Sequence, residues 1–429
     1  MLEKQVLFAK LFAYILRLYG DVLRRTVKRK TRSLWRKPSS AAGPEEVRPI
    51  VIIGASFAGY HAARTIATSL PPDSPYKVII IEPNTHFQFT WVLPRFCVVP
   101  DHEHKAFIPY GPYLGDAADS VQWIRDRVET IERKCVILTS GEKIPYEFLV
   151  IATGSAHGGE LPSRVGAERK QDGMKRLQQV QYRIKDAKKV VVIGAGAAGV
   201  ELAADAKEHY PEKEVVLVHS RHAVMNRFGP ELQAAALKAL EELGVEVILN
   251  DRMAHEDLEQ GRVVLTSGRV VECDYLINCT GQKPSSNLFA ELSPGSISPS
   301  GHIDVKPTMQ VNDDSLPNVY ACGDVASLHV GNPNSRSATH QATVAGDNVV
   351  LAAMGKKPRA TYTRHWADGV IKLTLGLSKS ITHFGNGQAE LLFHAKEKDI
   401  ALMSEGAWRA MGATPFEDPG LEPLDENGF

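Results

Sequence analysis

An α/β fold of parallel sheets is what this 429-residue sequence predicts, with a small α+β module behind it and an amphipathic helix in front. Three observations carry the prediction. An apolar run of strand length, Arg48 to Ile53, leads into Gly54-Ala55-Ser56-Phe57-Ala58-Gly59 and a helical stretch. The same order returns 140 residues later, where Lys189 to Ile193 leads into Gly194-Ala195-Gly196-Ala197-Ala198-Gly199. A second apolar run closes each unit, Lys77 to Ile81 in the first and Glu214 to Val218 in the second. Strand, glycine turn, helix and parallel strand make a βαβ unit, and two of them make the main internal repeat.

Composition is compatible with this and narrows the alternatives. Apolar residues are 43% and charged residues 23%, so a chain disordered throughout is excluded. The five cysteines include no CxxC pair, which argues against a zinc ribbon, a thioredoxin motif or a secreted disulfide scaffold, and no metal site is expected. The formal net charge is zero but unevenly spread. Residues 1–37 hold eleven Lys and Arg against two acids, a net +9, so the other 392 residues carry −9. A net acidic body argues against nucleic acid as the main partner.

In chain order, residues 1–37 read as a membrane-interface segment. Residues 5–23 are apolar but interrupted by Lys10, Arg17 and Asp21, whereas a bilayer span needs about 20 nearly uncharged residues. On a helix, Lys10, Arg17, Asp21, Arg24 and Lys28 form one narrow polar stripe, leaving an apolar face with Leu7, Phe8, Leu11, Phe12, Ile15, Leu18 and Val22. Eight Lys and Arg between Arg24 and Lys37 suit an anionic lipid surface. A cleaved mitochondrial presequence is the alternative, being also basic and poor in acids. A Pro/Ser/Ala/Gly linker occupies 38–47.

Two Rossmann-like dinucleotide-binding domains follow, the first split between 48–161 and 282–358, the second at 162–281. Small-residue turns end further strands at Ala152-Thr153-Gly154, at Thr280-Gly281 and at Cys322-Gly323-Asp324. Residues 359–415 form the α+β module. The tail 416–429, with five acids, two prolines and no base, is expected to be disordered.

In such a turn the first glycine permits the bend, the second lets backbone approach a pyrophosphate and the third lets helix pack on strand. Gly54, Ser56 and Gly59 take these places in the first unit, Gly194, Gly196 and Gly199 in the second. Ser56 departs from the pattern and crowds the pyrophosphate. Glu82, 23 residues beyond Gly59, ends the second strand and can accept both hydroxyls of an adenosine ribose. The second unit ends Val218-His219-Ser220-Arg221-His222 with no acid. Nothing there repels a 2′-phosphate and Arg221 or His222 can attract one, so the expected nucleotide is NAD(P)H.

The two turns, Ala152-Thr153-Gly154, the run Tyr320 to Asp324 and the stretch from Val190 to Ser220 together resemble the two-dinucleotide-domain flavoproteins. These include pyridine-nucleotide disulfide reductases, type II NADH dehydrogenases and the apoptosis-inducing-factor group, and the likeness to the last is the most specific. The resemblance covers about residues 48–410. It implies FAD on the first unit, with Gly54 to Ala58 as the pyrophosphate loop, and NAD(P)H on the second. Arg95 matches an FAD-contacting arginine, Val128 a backbone contact near the adenine, and Asp324 the aspartate holding the ribityl and phosphate end. Glu201 matches a glutamate at the flavin–nicotinamide contact, and Lys396 a lysine on the quinone side.

The implied activity is hydride transfer from NAD(P)H to FAD and onward to a quinone at a membrane surface. The cytoplasmic face of a lipid droplet or of the mitochondrial outer membrane is the expected place. The disulfide-reductase branch is excluded on chemistry, because Cys97 has no second cysteine four residues away. A soluble reductase for an iron–sulfur or haem protein, a redox-gated interaction protein and an oxidase of secondary metabolism remain open alternatives.

Overall fold

The computed structural model describes residues 2–34, 47–71, 74–156, 161–328 and 333–418. The linker lies almost wholly outside these residues, as does the tail beyond Asp418.

Runs of Ile and Val with no polar alternation build strands covered on both faces, the habit of parallel sheets. One sheet has the order Val319–Ala321, Phe148–Ile151, Arg48–Ile53, Tyr76–Ile81, Val121–Ile124, every pair parallel. The other runs Glu246–Ile248, Glu214–Val218, Lys189–Ile193, Tyr275–Asn278, again all parallel. Each carries a three-stranded antiparallel insertion just before one of its strands. Val128–Ile131, Cys135–Leu138 and Lys143–Pro145 precede Phe148–Ile151, and Met253–Asp257, Arg262–Leu265 and Val270–Glu272 precede Tyr275–Asn278. The sequence repeat is thus a repeat of the whole sheet plan. A short antiparallel pair, Ser155–Ala156 with Lys283–Pro284, brings together the chain leaving the first domain and the chain returning to it.

The C-terminal module is an antiparallel sheet, Ile371–Thr374, Lys379–Gly385, Glu390–Lys396, followed by the helix Ser404–Ala410. Glu390 seats it on the second domain by accepting from the N–H groups of Glu231 and Leu232, at 3.2 and 3.3 Å, at the start of the helix Pro230–Leu243. The start of the tail is ordered rather than disordered. Phe416 lies edge-on to Trp408, and Asp418 is buried between Lys170 Nζ and His86 Nε2, each at 2.7 Å.

The N-terminal segment is one helix, Leu2–Leu34, absorbing most of the basic run as well as the apolar one. It is docked. Leu7 is fully buried, Tyr14 stacks on His365 with ring centroids 4.8 Å apart, and Lys4 pairs with Glu231 at 2.7 Å. Leu7 therefore leaves the exposed face to which periodicity assigned it, because the body covers that edge. Phe8, Phe12, Ile15, Leu16, Tyr19, Leu23 and Val27 remain exposed and share an arc of about 120°. The side chains of Leu18 and Val22 lie outside the described set. No helix among the described residues is long and apolar enough to cross a membrane.

Candidate active site

Both glycine turns line one cleft of about 1290 Å³, more than the ~300–1,000 Å³ usual for a single small ligand. Gly54 has φ +93°, and a Cβ on it would stand 2.6 Å from the Ala152 carbonyl oxygen. A Cβ on Gly59 would stand 1.8 Å from the carbonyl oxygen of Gly54. The second turn repeats this: Gly194 has φ +105° and a Cβ on Gly199 would meet Gly194 O at 1.9 Å. The middle position is the reverse. A Cβ on Gly196 meets no protein atom within 4 Å, and its counterpart Ser56 is exposed and does not cap the helix it opens. Space is left in front of both helix N-termini, where unpaired N–H groups suit a pyrophosphate.

Ala55, Phe57 and Ala58 complete the first loop, with Phe57 and Ala58 on the cleft wall and Ala55 buried. Glu82 is buried behind it. One carboxylate oxygen accepts from Ala55 N at 2.6 Å, the other from Asn84 N and Nδ2 at 2.8 and 2.7 Å. Burial raises its pKa and those three donors oppose the rise. Thr153 and Gly154 line the cleft at the join between the domains, the Thr153 hydroxyl donating to Ser285 O at 2.7 Å. Gly323, at φ +80°, donates its N–H to Gln341 Oε1 at 2.8 Å and delivers Asp324 into the cleft. Asp324 faces a partner no motif marks, Arg164, at 3.6 Å. Burial lowers the Arg164 pKa and Asp324 pushes it back up.

Glu201 lies on the first turns of the helix Ala197–His209, on the cleft wall yet only 6% exposed. Its Oε1 accepts from Thr374 N of the C-terminal module at 3.1 Å. Burial lifts its pKa to about 8, with the Asp205 charge adding to the rise and Arg95 opposing it. Burial thus favours the protonated form of this carboxyl.

Three expected positions are placed differently. Arg95 does not line the cleft. It is 1% exposed, its Nε bonded to Asp205 at 2.7 Å and its terminal nitrogens to the carbonyls of Gly376 and Ile400 at 2.9 and 3.4 Å. Its guanidinium is used to tie both domains to the module. Val128 is a buried residue opening an antiparallel insertion strand, paired with Leu138 and away from the cleft lining. Lys396 is exposed at the end of an edge strand opposite Lys379. The lysine on the cleft wall is Lys372, which pairs with Glu397 at 2.7 Å.

Arg221 does line the cleft. Also on its wall, and not singled out from the sequence, are His219, Arg252, Trp91 and Lys372; His219 was detectable by laying the second turn on the first. All five cysteines are free thiols, and no cluster of His, Cys, Asp or Glu among the described residues can hold a metal.

Two open pyrophosphate seats, a carboxylate at one strand end and an aspartate in the shared cleft fit FAD and NAD(P)H. Together with the paired parallel sheets they define an FAD-dependent oxidoreductase drawing hydride from a nicotinamide nucleotide. When bound, the cofactors supply the redox chemistry and the protein supplies seating and orientation. Residues 48–355 match the model of the pyridine nucleotide-disulphide oxidoreductases, and the chain belongs to that family. It is 30% identical to Fe-regulated protein 8 of Mycosarcoma maydis over 395 residues, covering 85% of this chain and 95% of the relative. It is 29% identical to ferroptosis suppressor protein 1 of Xenopus tropicalis over 389 residues, covering 87% and 99%. Among solved structures, the sulfide:quinone oxidoreductase of Aquifex aeolicus shares the fold, with a TM-score of 0.65 at 16% identity over 85% of this chain and 92% of that one.

Proposed function

We propose that this enzyme passes the electrons on to a quinone-type acceptor at a membrane surface, by the balance NAD(P)H + H⁺ + quinone → NAD(P)⁺ + quinol. The observation that carries the reading is the docked N-terminal helix, with seven large apolar residues exposed on one face. They are 40–73% exposed, so burying what remains would gain each about 0.6–2 kcal/mol, and lipid is the partner that suits such a face with a basic run continuing from it. Eight Lys and Arg from Arg24 to Lys37 match an anionic leaflet, each adding about 1 kcal/mol near its surface. A site on the cytoplasmic face, of a lipid droplet or the mitochondrial outer membrane, accords with this charge.

A small side chamber lined by Trp91, Val92, Lys372, Thr374, Leu402 and Met403 adjoins the cleft, sharing Trp91 and Lys372 with it. In this reading Glu201, on the cleft wall, orients the nicotinamide carboxamide, and its raised pKa favours holding the proton the balance requires.

The test is turnover of the full chain with NAD(P)H against short-chain quinones in solution, long-chain quinones in anionic vesicles, cytochrome c and oxygen. Quinone turnover in solution and vesicles, with co-sedimentation on the vesicles, is expected. Turnover with cytochrome c alone points to a protein acceptor and overturns the quinone reading. Failure of the full chain to co-sediment removes the membrane.

A further inference from the structure

The two dinucleotide units of this chain can be laid on each other residue by residue. In the first, Glu82 follows the last residue of the strand Tyr76–Ile81 and accepts from Ala55 N, next after the first glycine, at 2.6 Å. In the second, His219 follows the last residue of Glu214–Val218, and its Nδ1 lies 3.2 Å from Ala195 N, next after Gly194. The seat is the same and its occupant has changed from a carboxylate to an imidazole.

The backbone settles the tautomer. Ala195 N–H can only donate, so Nδ1 is the acceptor and Nε2 carries the hydrogen toward Asn226 Oδ1 at 3.2 Å. A carboxylate here would accept from the two ribose hydroxyls of the adenosine and repel a phosphate in their place. The imidazole does neither.

Cations gather around this seat. Asn250 N donates to Arg221 O at 3.0 Å and Asp251 N to His219 O at 3.1 Å, lacing the loop after Glu246–Ile248 to the loop after Glu214–Val218. Arg221 and Arg252 are thereby brought to the cleft wall together. The acid between the loops, Asp251, is occupied: it accepts from Thr266 Oγ1 at 2.7 Å, Arg252 N at 2.8 Å, Ser267 N at 3.2 Å and the Ser267 hydroxyl. Three of these bonds go to Oδ1 and one to Oδ2, so the carboxylate, which also lines the cleft, is held on its own loop while Arg221 and Arg252 outnumber it there.

We propose that the nucleotide this enzyme selects is the 2′-phosphorylated one, NADPH, its 2′-phosphate held by Arg221 and Arg252 and admitted by His219. The proposal rests on the second turn being the nicotinamide-nucleotide seat. A charge-assisted contact to phosphate corresponds to about a 10- to 100-fold change in affinity.

The test compares kcat/KM for NADPH and NADH in the flavin-loaded protein, alongside calorimetric binding of 2′,5′-ADP and 5′-AMP. The wild type should favour NADPH and 2′,5′-ADP at least tenfold. Arg221→Ala and Arg252→Ala should each lower both ratios about tenfold or more, and His219→Asp should shift them toward the unphosphorylated partner. Retention of the flavin absorbance checks that the variants fold. Equal use of the two nucleotides by the wild type, or equal losses for both in the arginine variants, overturns the selectivity. If neither nucleotide reduces the flavin, the second turn has been misassigned, a failure distinct from equal use of both.

Discussion

Removing either partner of the Arg95–Asp205 pair should cost stability, and the two removals should not cost the same. The pair is 2.7 Å long and its side chains are 1% and 0% exposed. Breaking such a pair from one side costs about 3–5 kcal/mol, because the survivor is a buried, uncompensated charge. A carboxylate can escape that by taking a proton. Burial has raised the Asp205 pKa to about 6 even with Arg95 alongside, so in Arg95→Met it is protonated at neutral pH and the loss is limited. A guanidinium has no such escape. Asp205→Leu strands Arg95 with only the carbonyls of Gly376 and Ile400. It should therefore sit at the upper end of the range, Arg95→Met below it, and the double variant should recover part of the loss. At about 2–4 °C per kcal/mol the single variants fall by roughly 6–20 °C in a thermal melt of the FAD-loaded protein. The melt also separates two roles for Arg95. If Arg95→Met loses FAD affinity while its melting temperature holds, the residue contacts the cofactor as the family likeness implied, and the tie across the domains is wrong.

Three further outcomes follow from the cleft. Gly199→Ala drives a Cβ toward Gly194 O and should destabilise the fold, by about 1–3 kcal/mol or more, whereas Gly196→Ala meets no protein atom and should leave the melt unchanged while raising the KM for NAD(P)H. A Gly196→Ala enzyme with wild-type KM would move the pyrophosphate elsewhere. Glu201 titrates near 8 in the fold against an ordinary 4.5, so its contribution is complete below 4.5 and is lost as pH rises toward 8, at up to ~1.4 kcal/mol per pH unit. Glu201→Gln should flatten that part of the stability–pH curve and slow flavin reduction in a stopped-flow trace; an unchanged curve would mean the carboxyl is ionised. Asp324→Ala should lose flavin, measured as absorbance after gel filtration, and retention at wild-type affinity would remove Asp324 from the site.

What could be read in the sequence is what the local chain dictates. The glycine turns, the strands beside them, Glu82 and Asp324 are specified by a few neighbouring residues, because a bend, a close helix approach and a strand-end carboxylate are local demands. Leu2–Leu34 was legible as a helix for the same reason, through its 3.6-residue periodicity. Which edge of it faces the body was not. That depends on His365 and Glu231, more than 200 residues away. The module's strands were legible as a class but not their registry, so Lys396 and Lys372 could not be told apart. One ends an edge strand in solvent and the other points to the cleft, and only the pairing of Lys372 with Thr382 and of Lys396 with Lys379 separates them.

Arg95 marks the limit of matching by residue type. It follows Leu93-Pro94 in the way the likeness requires, and Pro94 does line the cleft. One residue on along a four-residue helix, the side chain turns by about 100° and meets Asp205 instead. Asp205 stands one helical turn beyond Glu201, so the arginine that motif matching assigns to the cofactor instead holds the charge beside a cleft-lining carboxyl. The internal repeat was the better guide, because it compares positions that the same chain builds twice with the same backbone bonds. Laid on Glu82, His219 stands out by its place in the chain alone, and with it the loss of the negative charge at the end of the second strand.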